Sequence, residues 1–228
     1  MTRALFVAGA GTEIGKTYVT AALARHRRAG GRAVRALKPL ASGVPPVGDP
    51  AFPESDTGRL LAAQDLPLTP EAVEACSPWR YAAALAPDLA AAREGRSLAL
   101  DDLVAWCRAR LAEASADEIV LIEGVGGLMS PITPTATGLD WLKRLNDPRA
   151  ETLPVVLVTG SYLGAISHAL TAIETLRAHA LPLAAVAVSE SLGAPTPPEI
   201  VAEAIRSRTG AAVACLRRGA DWSGAFPG

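Results

Sequence analysis

The stretch Gly9-Ala10-Gly11-Thr12-Glu13-Ile14-Gly15-Lys16-Thr17 puts a lysine and a hydroxyl at the end of a glycine-rich turn. An apolar run over 4–8 precedes it and a helical pattern over 16–29 follows, the order of strand, loop and helix that builds a phosphate cradle. In such a loop backbone N–H groups turn toward phosphate oxygens, and the helix N-terminus adds positive potential at the same point. Lys16 would reach the β- and γ-phosphates, and the Thr17 hydroxyl would face Mg²⁺. The strict pattern has glycine where this chain has Ala10, flanked by Gly9 and Gly11, so the match is to a variant loop.

Further reactive groups follow later apolar runs. Lys38 stands in Lys38-Pro39-Leu40-Ala41-Ser42-Gly43, where the proline stops the preceding run from continuing as a central strand. Asp56 follows Glu54-Ser55 at the start of a helical stretch; either Ser55 or Asp56 can cap that helix, and the alternative for Asp56 is a carboxylate directed at Mg²⁺. Glu123 opens Glu123-Gly124-Val125-Gly126-Gly127, and a buried carboxylate without a partner is costly, which favours a metal role. Gly164-Ala165-Ile166-Ser167 begins another helix and can present N–H groups to a carboxylate. His168 reads as a structural or interface residue, because its local sequence implies no catalytic partner. With Glu13, the set of two lysines, hydroxyls and carboxylates suits phosphoryl transfer, which needs positioning and charge neutralisation, but it does not identify the acceptor.

The elements that must position these groups alternate along the chain. Strand-length apolar runs fall at 4–8, 33–37, 119–122, 155–158, 184–188 and 211–216, with helical patterns at 16–29, 100–114, 164–178 and 198–209. Continuous rather than alternating apolar runs suggest strands covered on both faces, hence an α/β, doubly wound, mostly parallel sheet in one domain over 1–228. In that architecture ligands bind beyond the carboxyl ends of the strands, where all these groups stand.

A net charge of −1 over 228 residues gives no electrostatic footprint for nucleic acid. No run is long enough for a membrane span or shaped like a signal peptide, so the chain reads as cytoplasmic, and its three cysteines have no metal-ligand spacing. Trp79, Tyr81 and Trp106 read as core or interface aromatics, and a tail from Arg217, rich in Gly and Arg, as poorly ordered.

Taken in order, Thr12-Glu13-x-Gly15-Lys16-Thr17, Lys38-Pro39-x-Ala41-Ser42-Gly43, Ser55-Asp56, Glu123-Gly124-x-Gly126-Gly127 and Leu163-Gly164-x-Ile166-x-His168-Ala169-Leu170-Thr171 resemble the dethiobiotin synthetases over about residues 1–190. The resemblance implies a P-loop NTPase architecture and an ATP-dependent ligase of biotin biosynthesis that joins 7,8-diaminononanoate and CO₂ into a ureido ring, releasing ADP and phosphate. It implies catalytic roles for Lys16, Lys38, Thr12 and Ser42, and nucleotide contacts from Glu13, Ile14, Gly15, Lys16, Thr17, Tyr18, Glu123 and Ser189. Mg²⁺ would be held by Thr17, Asp56 and Glu123. Substrate would touch Ser42, Gly126 and, across a homodimer interface, Gly164, Ala165, Ile166 and Ser167.

This sequence departs from the family pattern at four places. Ser167 stands for a frequent asparagine, Tyr162 for a lysine of some members and Ser189 for a base-reading asparagine, while Leu216-Arg217-Arg218 replaces an expected Gly-x-Ile-Pro. Two other readings are a P-loop amidotransferase or ligase acting on a different substrate, and an ATP-driven dimerisation switch of the partitioning type. The latter carries a signature lysine at the position held here by Gly11.

Overall fold

The computed structural model describes residues 4–146 and 152–223. In chain order the elements are β1 (Ala4–Gly9), α1 (Lys16–Ala29), β2 (Val34–Leu37), β3 (Leu40–Ser42), α2 (Asp56–Ala63), α3 (Pro70–Cys76), β4 (Trp79–Tyr81), α4 (Pro87–Arg93) and α5 (Leu100–Ala112). They continue with β5 (Ile119–Glu123), β6 (Pro131–Thr133), β7 (Ala136–Thr137), α6 (Gly138–Leu145), β8 (Val155–Thr159), α7 (Ala165–Ala178), β9 (Leu183–Ser189), α8 (Pro198–Thr209) and β10 (Val213–Leu216).

The six apolar runs of the sequence become one parallel sheet in the order β10-β9-β8-β1-β5-β2. Every residue of β5 and β8 is buried, as continuous apolar strands require when helices cover both faces. Successive side chains point to opposite faces. Leu5 and Val7 therefore join Leu23, Leu60 and Val158 in one core, while Phe6 and Ala8 join Trp141, Leu157 and Ile173 in the other. Trp141 is fully buried and meets Phe6 edge-on, with ring centroids 5.1 Å apart.

From β1 the chain first builds toward the β2 edge, then crosses back to add β8, β9 and β10 on the other side of β1. A crevice opens at such a reversal, beyond the carboxyl ends of the strands. The expected doubly wound architecture is therefore present; helices α1, α5, α7 and α8 are the four that alternate with the strands in the sequence, and α2 is the helical stretch read after Ser55.

Smaller elements escaped the sequence reading. The pairs β3–β4 and β6–β7 involve strands of two or three residues, too short to carry a period. Helix α6 starts at a capping box, in which Thr137 and Asp140 satisfy each other's backbone N–H groups, and it carries Trp141 into the core. The expectation of a poorly ordered tail is corrected as far as Ser223. Trp222 is 4% exposed, the Tyr18 hydroxyl donates to the carbonyls of Arg217 (3.1 Å) and Ala220 (2.8 Å), and Arg25 pairs with Asp221 at 3.1 Å. Residues 224–228 lie outside the described residues. Among the described residues no helix is long and apolar enough to cross a membrane.

Candidate active site

The phosphate loop is folded by close backbone approach. A Cβ on Gly9 would lie 2.8 Å from the carbonyl oxygens of both Gly11 and Gly126, so no larger residue fits at the end of β1. Gly15 has φ 91°, and a Cβ there would sit 2.3 Å from Ser189 Oγ, which places Ser189 directly against the loop. Glu13 takes φ 57°, an uncommon conformation for a residue with a side chain and a local store of strain. Ala10 takes the place of the patterned glycine: its N–H donates to Val158 O at 2.8 Å and its methyl packs against both cores.

Five of the singled-out residues converge where β1, β2 and β5 end. Lys38 Nζ donates to Glu123 Oε1 at 2.6 Å and to the Gly124 carbonyl at 3.0 Å, and pairs with Asp56 Oδ2 at 3.0 Å. That uses all three ammonium hydrogens of a lysine only 2% exposed. The Thr17 hydroxyl donates to the same Glu123 oxygen at 2.7 Å, while Lys16 Nζ reaches back to the Gly11 carbonyl at 3.1 Å. Ser55, not Asp56, caps α2, its hydroxyl accepting from Gly58 N at 3.2 Å. This leaves the Asp56 carboxylate for the crevice.

The charges follow from burial and proximity. Burial, with the Lys38 charge adding to it, pushes Lys16 down to about 8. Burial pulls on Lys38 too, but Glu123 and Asp56 outweigh it and hold that ammonium above the usual lysine range. Burial would likewise raise Asp56, yet the adjacent Lys38 charge prevails and holds it at about 2.

A carboxylate with a depressed pKa stabilises the fold above its unfolded value of 3.8 and loses that contribution as pH falls toward 2. Asp56→Asn is therefore expected to be less stable than the parent at pH 6 and to converge with it by about pH 2. Urea melts across that range read the difference, and a gap independent of pH would reject the assignment.

A hydroxyl and two carboxylates are hard oxygen donors of the kind Mg²⁺ takes, usually as one or two carboxylates completed by substrate phosphates. Glu123 Oε2 is buried without a hydrogen-bond partner, an orphan acceptor that a cation would satisfy. Among the described residues no group of three or more His, Cys, Asp or Glu side chains forms a self-sufficient metal cage. The residues thus fit a metal shared with a nucleotide.

Comparison with known proteins decides the family. A family model described as an AAA domain matches residues 3–216. The ATP-dependent dethiobiotin synthetase BioD of Methylobacterium nodulans is 69% identical over 98% of this chain and 95% of its own length. The proteins of the same name from Caulobacter vibrioides and Acidiphilium cryptum are 50% and 44% identical, over 85% and 90% of the chain and 82% and 88% of their own. The chain belongs to the dethiobiotin synthetase family.

Two solved structures add the fold alone. A chloroplast FtsY from Physcomitrella patens aligns with TM-score 0.51 and 15% identity over 93% of the chain, which spans 57% of that FtsY. A MinC:MinD cell division complex from Aquifex aeolicus aligns with TM-score 0.51 and 11% identity over 95% of this chain and 81% of that one. Both are consistent with the parallel P-loop architecture, and nothing in the comparisons favours the partitioning-switch or amidotransferase readings.

The remaining positions of the dethiobiotin synthetase pattern spread around this centre. Thr12 is exposed on the loop, and a Cβ on Gly126 would lie 3.6 Å from its hydroxyl, so loop and β5 turn face each other there. Ile14 is buried, Glu13 is exposed, and Tyr18 is engaged by the C-terminal segment. Ser42 is half-buried at the end of β3 opposite Tyr81, on the far side of Pro39 from Lys38.

At α7, Gly164 caps with φ 98° and Ser167 is exposed, but the Ala165 N–H is already given to the Tyr162 carbonyl at 3.1 Å. Sequence reasoning missed the Gly124 carbonyl beneath Lys38, and it missed the Tyr162–His168 pair, in which Tyr162 Oη and His168 Nδ1 lie 2.8 Å apart. Their i, i+6 spacing across a helix start carries no periodic signal.

Proposed function

We infer that the protein is an ATP- and Mg²⁺-dependent ligase that closes a ureido ring on 7,8-diaminononanoate with CO₂, giving dethiobiotin, ADP and phosphate. The observation that carries this reading is the convergence of Lys16, Thr17, Lys38, Asp56 and Glu123 in a chain 69% identical to a protein of that name.

One substrate amine adds to CO₂, forming an N–C bond and losing a proton to give a carbamate. A carbamate oxygen attacks the γ-phosphorus and ADP leaves; the second amine then attacks the carbamoyl carbon and phosphate leaves. Each stage gathers negative charge, which buried ammonium groups stabilise far better than water does. Lys16, held by a single carbonyl, is free to turn to the transferring phosphoryl group, while Lys38, its three hydrogens already engaged, adds fixed positive charge behind the carbamate. Thr12 and Ser42 orient carbamate and γ-phosphate by hydrogen bonds. Thr17, Asp56 and Glu123 would hold Mg²⁺, which supplies charge neutralisation at phosphate oxygens. Nucleotide lies along Glu13–Tyr18 with Ser189 beneath the loop.

The substrate's distal carboxylate would sit on the start of α7 of a second subunit, the two chains forming a homodimer. Leu163, 89% exposed beside that helix start, and Leu192, 83% exposed in the turn that follows β9, suit such a contact. The chain acts as one domain over 1–228, in the cytoplasm, without nucleic acid or membrane partners.

The direct measurement is ADP release. Turnover is expected only with ATP, bicarbonate and diaminononanoate together, with one ureido product per ADP. ATP hydrolysis indifferent to the diamine, or equally fast in CO₂-free buffer, would reject the reading.

A further inference from the structure

We propose that Tyr162, held by His168, is a positioning residue for the reacting amine of the substrate, a neutral hydroxyl presented over the phosphate loop at Gly11. The inference deepens the ligase reading above and rests on it.

Tyr162 is tied down on every side. A Cβ on Gly160 would lie 2.7 Å from Cδ1 of the Tyr162 ring and 3.0 Å from Cε1, so one edge of the ring lies against a residue that must be glycine to admit it. The Tyr162 carbonyl accepts the Ala165 N–H at 3.1 Å, fixing its backbone to the first turn of α7. Its hydroxyl is 2.8 Å from His168 Nδ1, with the two rings tilted at 49° and their centroids 5.7 Å apart. The same hydroxyl would be 3.6 Å from a Cβ on Gly11, the residue whose carbonyl holds Lys16 Nζ at 3.1 Å. A half-buried phenol is thus suspended beside the loop that parks the phosphate-binding lysine.

A hydroxyl sharing one bond with an imidazole can serve a third group in either sense. When Nδ1 is bare, Tyr162 donates to His168 and its oxygen accepts an amine N–H. When Nδ1 carries the proton, His168 donates and the Tyr162 O–H is free for a carbamate oxygen. His168 is exposed, so its proton can relocate between the ring nitrogens through water without any heavy atom moving. The substrate changes from amine to carbamate during the reaction, and this pair matches hydrogen-bond polarity to both forms. A fixed cation at the position would suit only the second.

The test compares Tyr162→Phe, His168→Ala and His168→Asn in steady-state assays, with separate titrations of a fluorescent ATP analogue and melting curves. Tyr162→Phe is expected to raise KM for diaminononanoate about five- to tenfold, the factor one lost hydrogen bond carries, with nucleotide affinity and melting temperature unchanged. His168→Ala is expected to show a smaller increase, and His168→Asn, which keeps a polar group where Nδ1 stood, to recover most of it. An unchanged KM in Tyr162→Phe, or equal weakening of diamine and nucleotide, would overturn the role while leaving the ligase reading intact. A parent enzyme without diamine-dependent turnover would overturn both.

Discussion

Lys16→Met is expected to lose at least about 10²-fold in turnover while melting no lower than the parent at pH 7, because the charge it removes assists catalysis and opposes folding. The side chain is 6% exposed, and methionine keeps most of its buried stem, so the substitution isolates the ammonium. In the folded protein burial and the Lys38 charge lower Lys16 from 10.5 to about 8. The unfolded chain therefore binds more protons between these values, and stability rises with pH through that window. Below it the buried charge costs on the order of a few kcal/mol, which the methionine variant would not incur. Steady-state turnover and melting curves at pH 7 and pH 10 check both halves. Retained turnover would reject the phosphate-cradle role, and a large drop in melting temperature would show that Lys16 supports the fold.

Lys38→Met is expected to act in the opposite sense on stability. It strands the buried Glu123 carboxylate, and breaking one side of a buried ion pair typically costs about 3–5 kcal/mol, or roughly 10 °C in a chain of this size. The double variant Lys38→Met/Glu123→Gln should recover most of that loss, since the amide still accepts from Thr17 and carries no charge. Neither variant should turn over substrate. If the single variant melts with the parent, or the double variant melts no better than the single, the charge pair is not what holds this corner together.

How much of this was visible in the residues depends on the range of the signal. The six strands were legible because a buried parallel strand is a continuous apolar run; Lys38 and Glu123 were legible because each stands directly after one, and Lys16 and Thr17 because they close the glycine loop that follows another. The choice at Ser55-Asp56 was not: both residues can cap a helix, and only the Ser55–Gly58 bond shows which one does. That Lys38 pairs with both Glu123 and Asp56 is a matter of three side chains meeting across separate elements, which no local spacing encodes. The packed C-terminal segment was hidden for a related reason. Its anchors, Tyr18, Arg25 and Glu190, lie far away in sequence, and only Trp222 itself offered an apolar hint.

The strand order also constrains how the molecule comes into being. β1 and β2, consecutive along the chain, do not pair; β5 lies between them. Lys38 and Glu123 are separated by 85 residues and Thr17 and Glu123 by 106, so the N-terminal third emerging from a ribosome holds its lysines and hydroxyl with nothing to bring them together. Loop closure on that scale is slow, and exposed edges wait meanwhile. β5 pairs with both β1 and β2 and carries at its end the carboxylate that gathers Lys38 and Thr17, so this half of the sheet and the site depend on the same long-range contacts.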